Sequence, residues 1–445
     1  MAPARFCGCS ACPGELAMSE KPMLPVPMQW MMFAAATAFI VLGLSVDKIA
    51  GISYYAMLLL GIVAVFIRGR SSVSAFLASW RTFWPLYLAV SGFTFCLVLS
   101  QILVANGSAK DFNFALRFQG FVLLFWVFLH LPRRFFKWLG VAFAIAALVA
   151  TAKTYWMTAG GTVREHPNFM PILAYTELAA ISGTMAMCSV KWDVELPESI
   201  RRLLFALKVV SGLGGLYAIY LYQSRGGWLA IPVFAVATCL LFLPSSSMLR
   251  KMAAVLAIML VVAGIYGSTD SVRERLLAAR NDVVQFENKS DLNTSVGTRF
   301  QLWQASLRLY RENAFIGVGI NGYSRALRKM ADEGVISEGS AQYPHSHNEI
   351  LFTAVLFGSC GIVALLALYF IPVAYFVRYA RGQPGSVKAA ACMGTVLCLS
   401  YFLDGLVDVM FAWRECGLFY TVVLAVTMAA LFRFRQPDRE ISAPA

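Results

Sequence analysis

Apolar runs of about 20 residues recur along this chain, each long enough to cross a hydrocarbon core of about 30 Å as a helix. Twelve spans are predicted, over 29–46, 49–67, 83–105, 112–131, 135–157, 168–190, 203–222, 226–243, 249–268, 348–377, 387–410 and 415–432. The rhythm breaks once. Residues 269–347 form a long polar segment between the ninth and tenth spans. Within it, SVRERLLAARNDVVQFE and TRFQLWQASLRLYREN carry the 3.6-residue period of amphipathic helices. Gly297-Thr298 is expected to turn the chain into the second of them. The predicted organisation is a tail over 1–28, nine spans over 29–268, a helical loop over 269–347, three spans over 348–432 and a tail over 433–445. The fold class is an all-α polytopic membrane protein.

Composition agrees. The chain is 59% hydrophobic and 14% charged, against about 25% charged for a soluble domain. Charge then sets the orientation. Arg and Lys gather on alternate connections, among them Arg133, Arg134, Lys137, Arg201, Arg202, Arg250, Lys251, Arg378, Arg381, Lys388, Arg433 and Arg435. By the positive-inside rule both termini are cytoplasmic and the 269–347 loop is outside. Most of the net charge of +13 is this signal, and it calls for no nucleic-acid partner. The loop itself is balanced, with ten basic and nine acidic residues over 269–346, which suits a folded, solvated layer.

Some local features carry little. The first residues have no basic leader running into a short apolar core, so no cleaved signal is expected. Cys7, Cys9 and Cys12 cluster ahead of the first span without an evident fourth metal ligand; Met18 is an alternative start. The other cysteines lie in apolar spans, as small hydrophobes. GVGINGY, 317–323, reads as a tight turn, with close approach to a ligand as the sharper alternative.

The chemistry sits on the outer face. Four histidines occur in the chain and two are in YPHSHNE, 343–349. Counted as helix at 100° per residue, His347, Gly358 and Gly361 share one face, within about 40°. That would let a helix or lipid chain pack beneath the imidazole. Arg225, in SRGGW, is a cation on the side the positive-inside rule disfavours, beside two glycines. Arg299 opens the second loop helix. An arginine fork suits phosphate oxygens. His345 is expected to orient the loop or an acceptor, and Asn348 either to orient His347 or to cap the span. Asp404 and Asp408 lie four apart, with Asp408 a partner for Arg414. Glu177 is an intramembrane carboxylate with no assigned role. Arg308 and Arg311 are candidates for acidic acceptor groups. Neither a D-x-D nor a clustered His–carboxylate set is visible, so no metal and no cofactor is expected.

His347-Asn348, nine residues, then Gly358-x-x-Gly361 resembles the motif of O-antigen ligases. Ser224-Arg225-Gly226-Gly227, Gly297-x-Arg299-x-x-x-Trp303 and the glycine run ending at Tyr323 are similar to further marks of that superfamily. It also holds O-antigen polymerases and protein O-oligosaccharyltransferases. The resemblance covers roughly 220–361. It implies a GT-C-like fold in a Gram-negative inner membrane and a metal-independent, inverting transfer at the periplasmic face. The donor would be O-antigen on undecaprenyl diphosphate and the acceptor a sugar hydroxyl of lipid A-core. His347 would be the base and Arg225 and Arg299 the diphosphate ligands, with Trp303 and Tyr323 in support. A polymerase differs only in its acceptor. A twelve-span transporter, the reading from another class, would show a repeat between halves, and none is evident.

Overall fold

The computed structural model describes residues 24–162, 169–222, 226–243, 247–268, 270–288 and 290–436. Arg225, Ser224, Met18 and the Cys7, Cys9 and Cys12 cluster lie outside them.

Each predicted span is occupied by a helix. They are α1 (Val26–Leu42), α2 (Ile49–Arg68), α3 (Arg70–Leu103), α4 (Phe112–Phe128), α5 (Arg133–Met157), α6 (Ile172–Cys188), α7 (Glu198–Tyr222), α8 (Ile231–Phe242) and α9 (Met248–Gly267). The loop forms α10 (Asp270–Glu287), α11 (Ser295–Glu312), α12 (Tyr323–Asp332) and the single turn α13 (Glu338–Ala341). Then come α14 (Glu349–Ala380), α15 (Gly385–Asp404) and α16 (Arg414–Arg435). Among the described residues, eight helices are long and apolar enough to cross a membrane. Val26–Leu42, Phe112–Phe128 and Gly227–Phe242 are shorter apolar helices.

α16 is the central post. Its residues Glu415 to Phe432 are all buried, because α4, α15, α2, α5 and α14 pack around it. Aromatic rings pack along it, as between Tyr420 and Tyr401, which meet edge-on with ring centres 5.0 Å apart. α11 lies on α14, and α10 on α11, with Phe286 edge-on to Phe300 at 5.3 Å.

Three sequence expectations are corrected here. α11 begins at Ser295, before Gly297; Thr294 caps it by accepting the Gly297 amide through its hydroxyl. An N-cap threonine is a stronger start signal than glycine. The helix of the eleventh span, α15, ends at Asp404 and not at 410, since residues 405–409 unwind to receive the start of α14. There the Gly405 carbonyl accepts the Glu349 amide at 2.6 Å, and the Leu406 carbonyl accepts the Asn348 side chain at 3.0 Å.

The third concerns Gly358. It does not continue a regular helix, as its φ is +63° and its ψ is −153°. The common face of His347, Gly358 and Gly361 is therefore broken. What approaches Gly358 is the chain's own backbone: a Cβ there would meet the Phe315 carbonyl carbon at 2.3 Å. Residues 314–319 lie along the kink, with Val318 donating to Val355 at 2.8 Å, Gly319 to Leu356 at 3.1 Å and Ser359 to Ala314 at 2.8 Å. Gly317 is needed for the same approach, as its Cβ would sit 2.4 Å from the Val355 carbonyl. Gly317 and Gly319 of GVGINGY thus serve a chain-to-chain splice that fixes the polar loop on α14.

Candidate active site

Trp303 of α11 and the unwound 405–409 stretch meet at residues 346–349. Asn348 caps α14, its side chain accepting the Leu351 amide at 2.9 Å. Of the two roles expected for Asn348, capping is the one seen. The preceding residue, His347, has a left-handed φ of 51°, rare for a residue with a Cβ and most often kept where neighbours enforce it. The neighbours are identifiable. Trp303 donates its indole N–H to the Ser346 carbonyl at 3.0 Å. The Ser346 hydroxyl donates to the Asn348 carbonyl at 2.9 Å. His345 Nδ1 accepts the His347 amide at 3.3 Å.

So held, the His347 ring sits edge-on to His345 at 4.5 Å and to Tyr343 at 5.3 Å. Its Nδ1 donates to Asp408 Oδ1 at 3.3 Å, and the side chain stays 22% exposed. That oxygen also accepts the Val409 amide at 2.8 Å. Arg414, expected to hold Asp408, instead pairs with Glu415 at 2.8 Å. The dyad leaves His347 Nε2 as the ring nitrogen without the Asp408 bond.

Electrostatics separates the two imidazoles. Burial pushes the His345 pKa down to about 4, Asp408 opposing and His347 and Arg299 assisting. His345 is therefore neutral near pH 7 and positions the loop. Burial pushes Asp408 upward, but the His347 hydrogen bond, both imidazoles and the Val409 amide outweigh it and hold its carboxyl below the ordinary value. It remains an anion facing His347.

Arg299 is half-buried and one turn before Trp303, on the face of α11 that meets 345–347. Arg308 follows nine positions later, about 180° around the helix; it pairs with Glu312 at 3.0 Å. Arg311 is exposed, about 120° from Arg299. Neither joins the His347 cluster. Tyr323 is buried, edge-on to Phe352 at 5.1 Å, and so packs the loop against α14.

Two things escaped the sequence. Glu349 is buried and its Oε2 accepts the Phe411 amide at 2.9 Å, tying α14 to the turn before α16. Also, His345, His347 and Asp408 do form a His–carboxylate set, with potential ligand atoms within 4.8 Å of one another. Sequence spacing hid it, because 61 positions separate His347 from Asp408. Deeper in the bundle, Glu177 and Asp404 are buried, and their carboxyl oxygens find no hydrogen-bond partner among the described residues.

These features define a helical membrane protein with an oriented His–Asp dyad beneath a helical cap. Residues 210–366 match the family model described as O-Antigen ligase. The match spans the second half of α7 through the α14 kink and includes Arg299, Trp303, His345 and His347; Asp408 falls beyond it. An "O-antigen ligase" of Escherichia coli (strain K12) is 25% identical over 172 residues, 38% of this chain and 40% of that protein. An "Uncharacterized protein" of Haemophilus influenzae is 26% identical over 200 residues, 44% of this chain and 50% of that protein. The similarity thus spans half or less of either relative.

Proposed function

We propose that this protein is a membrane glycosyltransferase that moves O-antigen from undecaprenyl diphosphate to a sugar hydroxyl of lipid A-core. The reading places it in a Gram-negative inner membrane with twelve spans, both termini cytoplasmic and the site in the periplasm. In the step, the acceptor oxygen forms a bond to the anomeric carbon as the bond from that carbon to the diphosphate oxygen breaks. The acceptor proton goes to His347 Nε2. The leaving diphosphate carries the electron pair and is held by Arg299, with Arg225 completing the site. One displacement inverts the anomeric centre.

The observation that carries this reading is the hydrogen bond from His347 Nδ1 to Asp408 at 3.3 Å. It selects the tautomer with a basic Nε2 and faces the imidazolium that forms with a fixed anion. The bond is long, as such contacts often are without substrate. A diphosphate is already a competent leaving group, so cations to receive its charge and a base for the acceptor suffice. On this reading the transfer needs no metal, although the His345–His347–Asp408 set makes that a point to test.

The test is His347→Ala in purified protein, given the lipid-linked glycan and lipid A-core. Transfer should fall by at least about 10²-fold, as for loss of a positioned base, while insertion in the membrane is retained. Near-normal transfer removes His347 from the mechanism.

A further inference from the structure

At the opposite end of α14 from His347, an apolar groove of about 520 Å³ runs between α8, the last turns of α14 and the stretch of α15 from Lys388 to Leu399. Val236 and Leu240 form one wall, and Thr395 and Leu399 the other. Three cations line it as well: Lys251 from the first turn of α9, Arg381 just past α14, and Lys388 in the first turn of α15. They come from three separate helix ends and sit at the same end of the groove. Among the described residues no carboxylate pairs with Arg381 or Lys388.

Length identifies the kind of occupant. Lys388 and Leu399 are eleven residues apart on α15, so the groove is about 16 Å deep. That is close to half of a hydrocarbon core of about 30 Å, or one leaflet. The positive charges therefore lie at headgroup level with an apolar slot beneath them. A lone Lys or Arg here would only snorkel; three converging on one slot make a receptor for a headgroup. The glycan donor is excluded from reacting here, because 31 helical residues of α14, about 46 Å along its path, separate Glu349 beside His347 from Ala380.

We propose that this groove binds an anionic diacyl phospholipid of that leaflet, its acyl chain along Val236, Leu240 and Leu399 and its phosphate on Lys251, Arg381 and Lys388. The assignment of the leaflet as cytoplasmic rests on the orientation given above; the binding does not. Each cation near a headgroup favours an anionic lipid roughly five-fold, and three together about 10²-fold.

The experiment uses full-length protein exchanged into vesicles of equal parts phosphatidylglycerol and phosphatidylcholine, then extracted gently and weighed by native mass spectrometry. The parent should retain phosphatidylglycerol over phosphatidylcholine by at least about ten-fold, a lower bound on the charge effect. The triple variant Lys251→Gln, Arg381→Gln, Lys388→Gln should lose that preference while eluting as the same species. Leu240→Trp, which fills the slot and leaves the cations, should lose the lipid too. Equal retention of both lipids by the parent overturns the proposal, as does unchanged retention by the triple variant or a dimer that covers the groove without lipid. Because the readout is bound lipid, its failure is separable from failure of the glycan-transfer reading.

Discussion

Asp408→Asn isolates the charge behind His347. Asparagine keeps the shape of the side chain, and its carbonyl oxygen can still accept from His347 Nδ1 and from the Val409 amide, at present 3.3 and 2.8 Å. What disappears is the negative charge, which matters most when the imidazole has taken a proton. Two unit charges 3.3 Å apart attract by about 5 kcal/mol at an effective dielectric of 20. His347 is 22% exposed, so water screens part of that, and about 2–3 kcal/mol of transition-state stabilisation should be lost. That is roughly a 30- to 150-fold fall in kcat. Donor and acceptor KM should hardly change, because the charge acts on the imidazolium and not on bound substrate. Steady-state kinetics on the purified variant, with a thermal melt to confirm the fold, reads both quantities. A kcat near that of the parent, or a raised KM with kcat intact, would refute the dyad.

Gly358→Ala puts a Cβ 2.3 Å from the Phe315 carbonyl carbon at a φ of +63°; it should lower stability by about 2 kcal/mol or more, read as melting in detergent, and an unchanged melt contradicts the splice. Arg299→Lys should cost about 10- to 10²-fold in transfer through loss of the guanidinium fork, and Arg299→Ala slightly more, with weaker binding of the lipid-linked donor and unchanged binding of lipid A-core. The same substitutions at Arg225 should behave alike if both arginines hold one diphosphate. EDTA should leave the rate unchanged; a loss restored by zinc, magnesium or manganese would make the His345–His347–Asp408 set a metal centre. His345, with its pKa lowered from 6.5 to about 4, takes up protons more readily when its loop opens. Its contribution to loop stability should therefore be full above pH 6.5 and decline by about 3 kcal/mol on acidification to pH 4; hydrogen-exchange protection factors over 343–349, each taken against the intrinsic rate at its own pH, should be smaller at pH 5 than at pH 7, and equal or greater protection at pH 5 would contradict it.

The apolar helices were legible because hydrophobic length is a local property: all twelve runs hold helices, and among the described residues eight of the helices are long and apolar enough to cross a membrane. The amphipathic loop helices were legible from their period. The histidine motif, Arg299 and Trp303 stood out for the same reason, as compact local patterns. What could not be read was long-range. Asp408 looked like a partner for Arg414, six residues away, because nothing in the chain announces that residues 405–409 unwind to meet Asn348. Gly358 looked like a packing face, since a regular helix was assumed through it; only the fold shows residues 314–319 lying against its backbone. Glu349 was given no role, although it joins α14 to the Phe411 amide. Arg308 and Arg311 drew attention through charge alone, and helix phase turns them away from the dyad.

The most direct test of the central claim follows the glycan itself. Purified protein is given polyprenyl-diphosphate-linked glycan together with lipid A-core, and mass spectrometry identifies which molecule gains sugar. The account predicts that lipid A-core gains the glycan, that free polyprenyl diphosphate appears in equal amount, and that His347→Ala abolishes both. Growth of the lipid-linked chain with lipid A-core untouched, or movement of the intact donor with no bond exchanged, would contradict it.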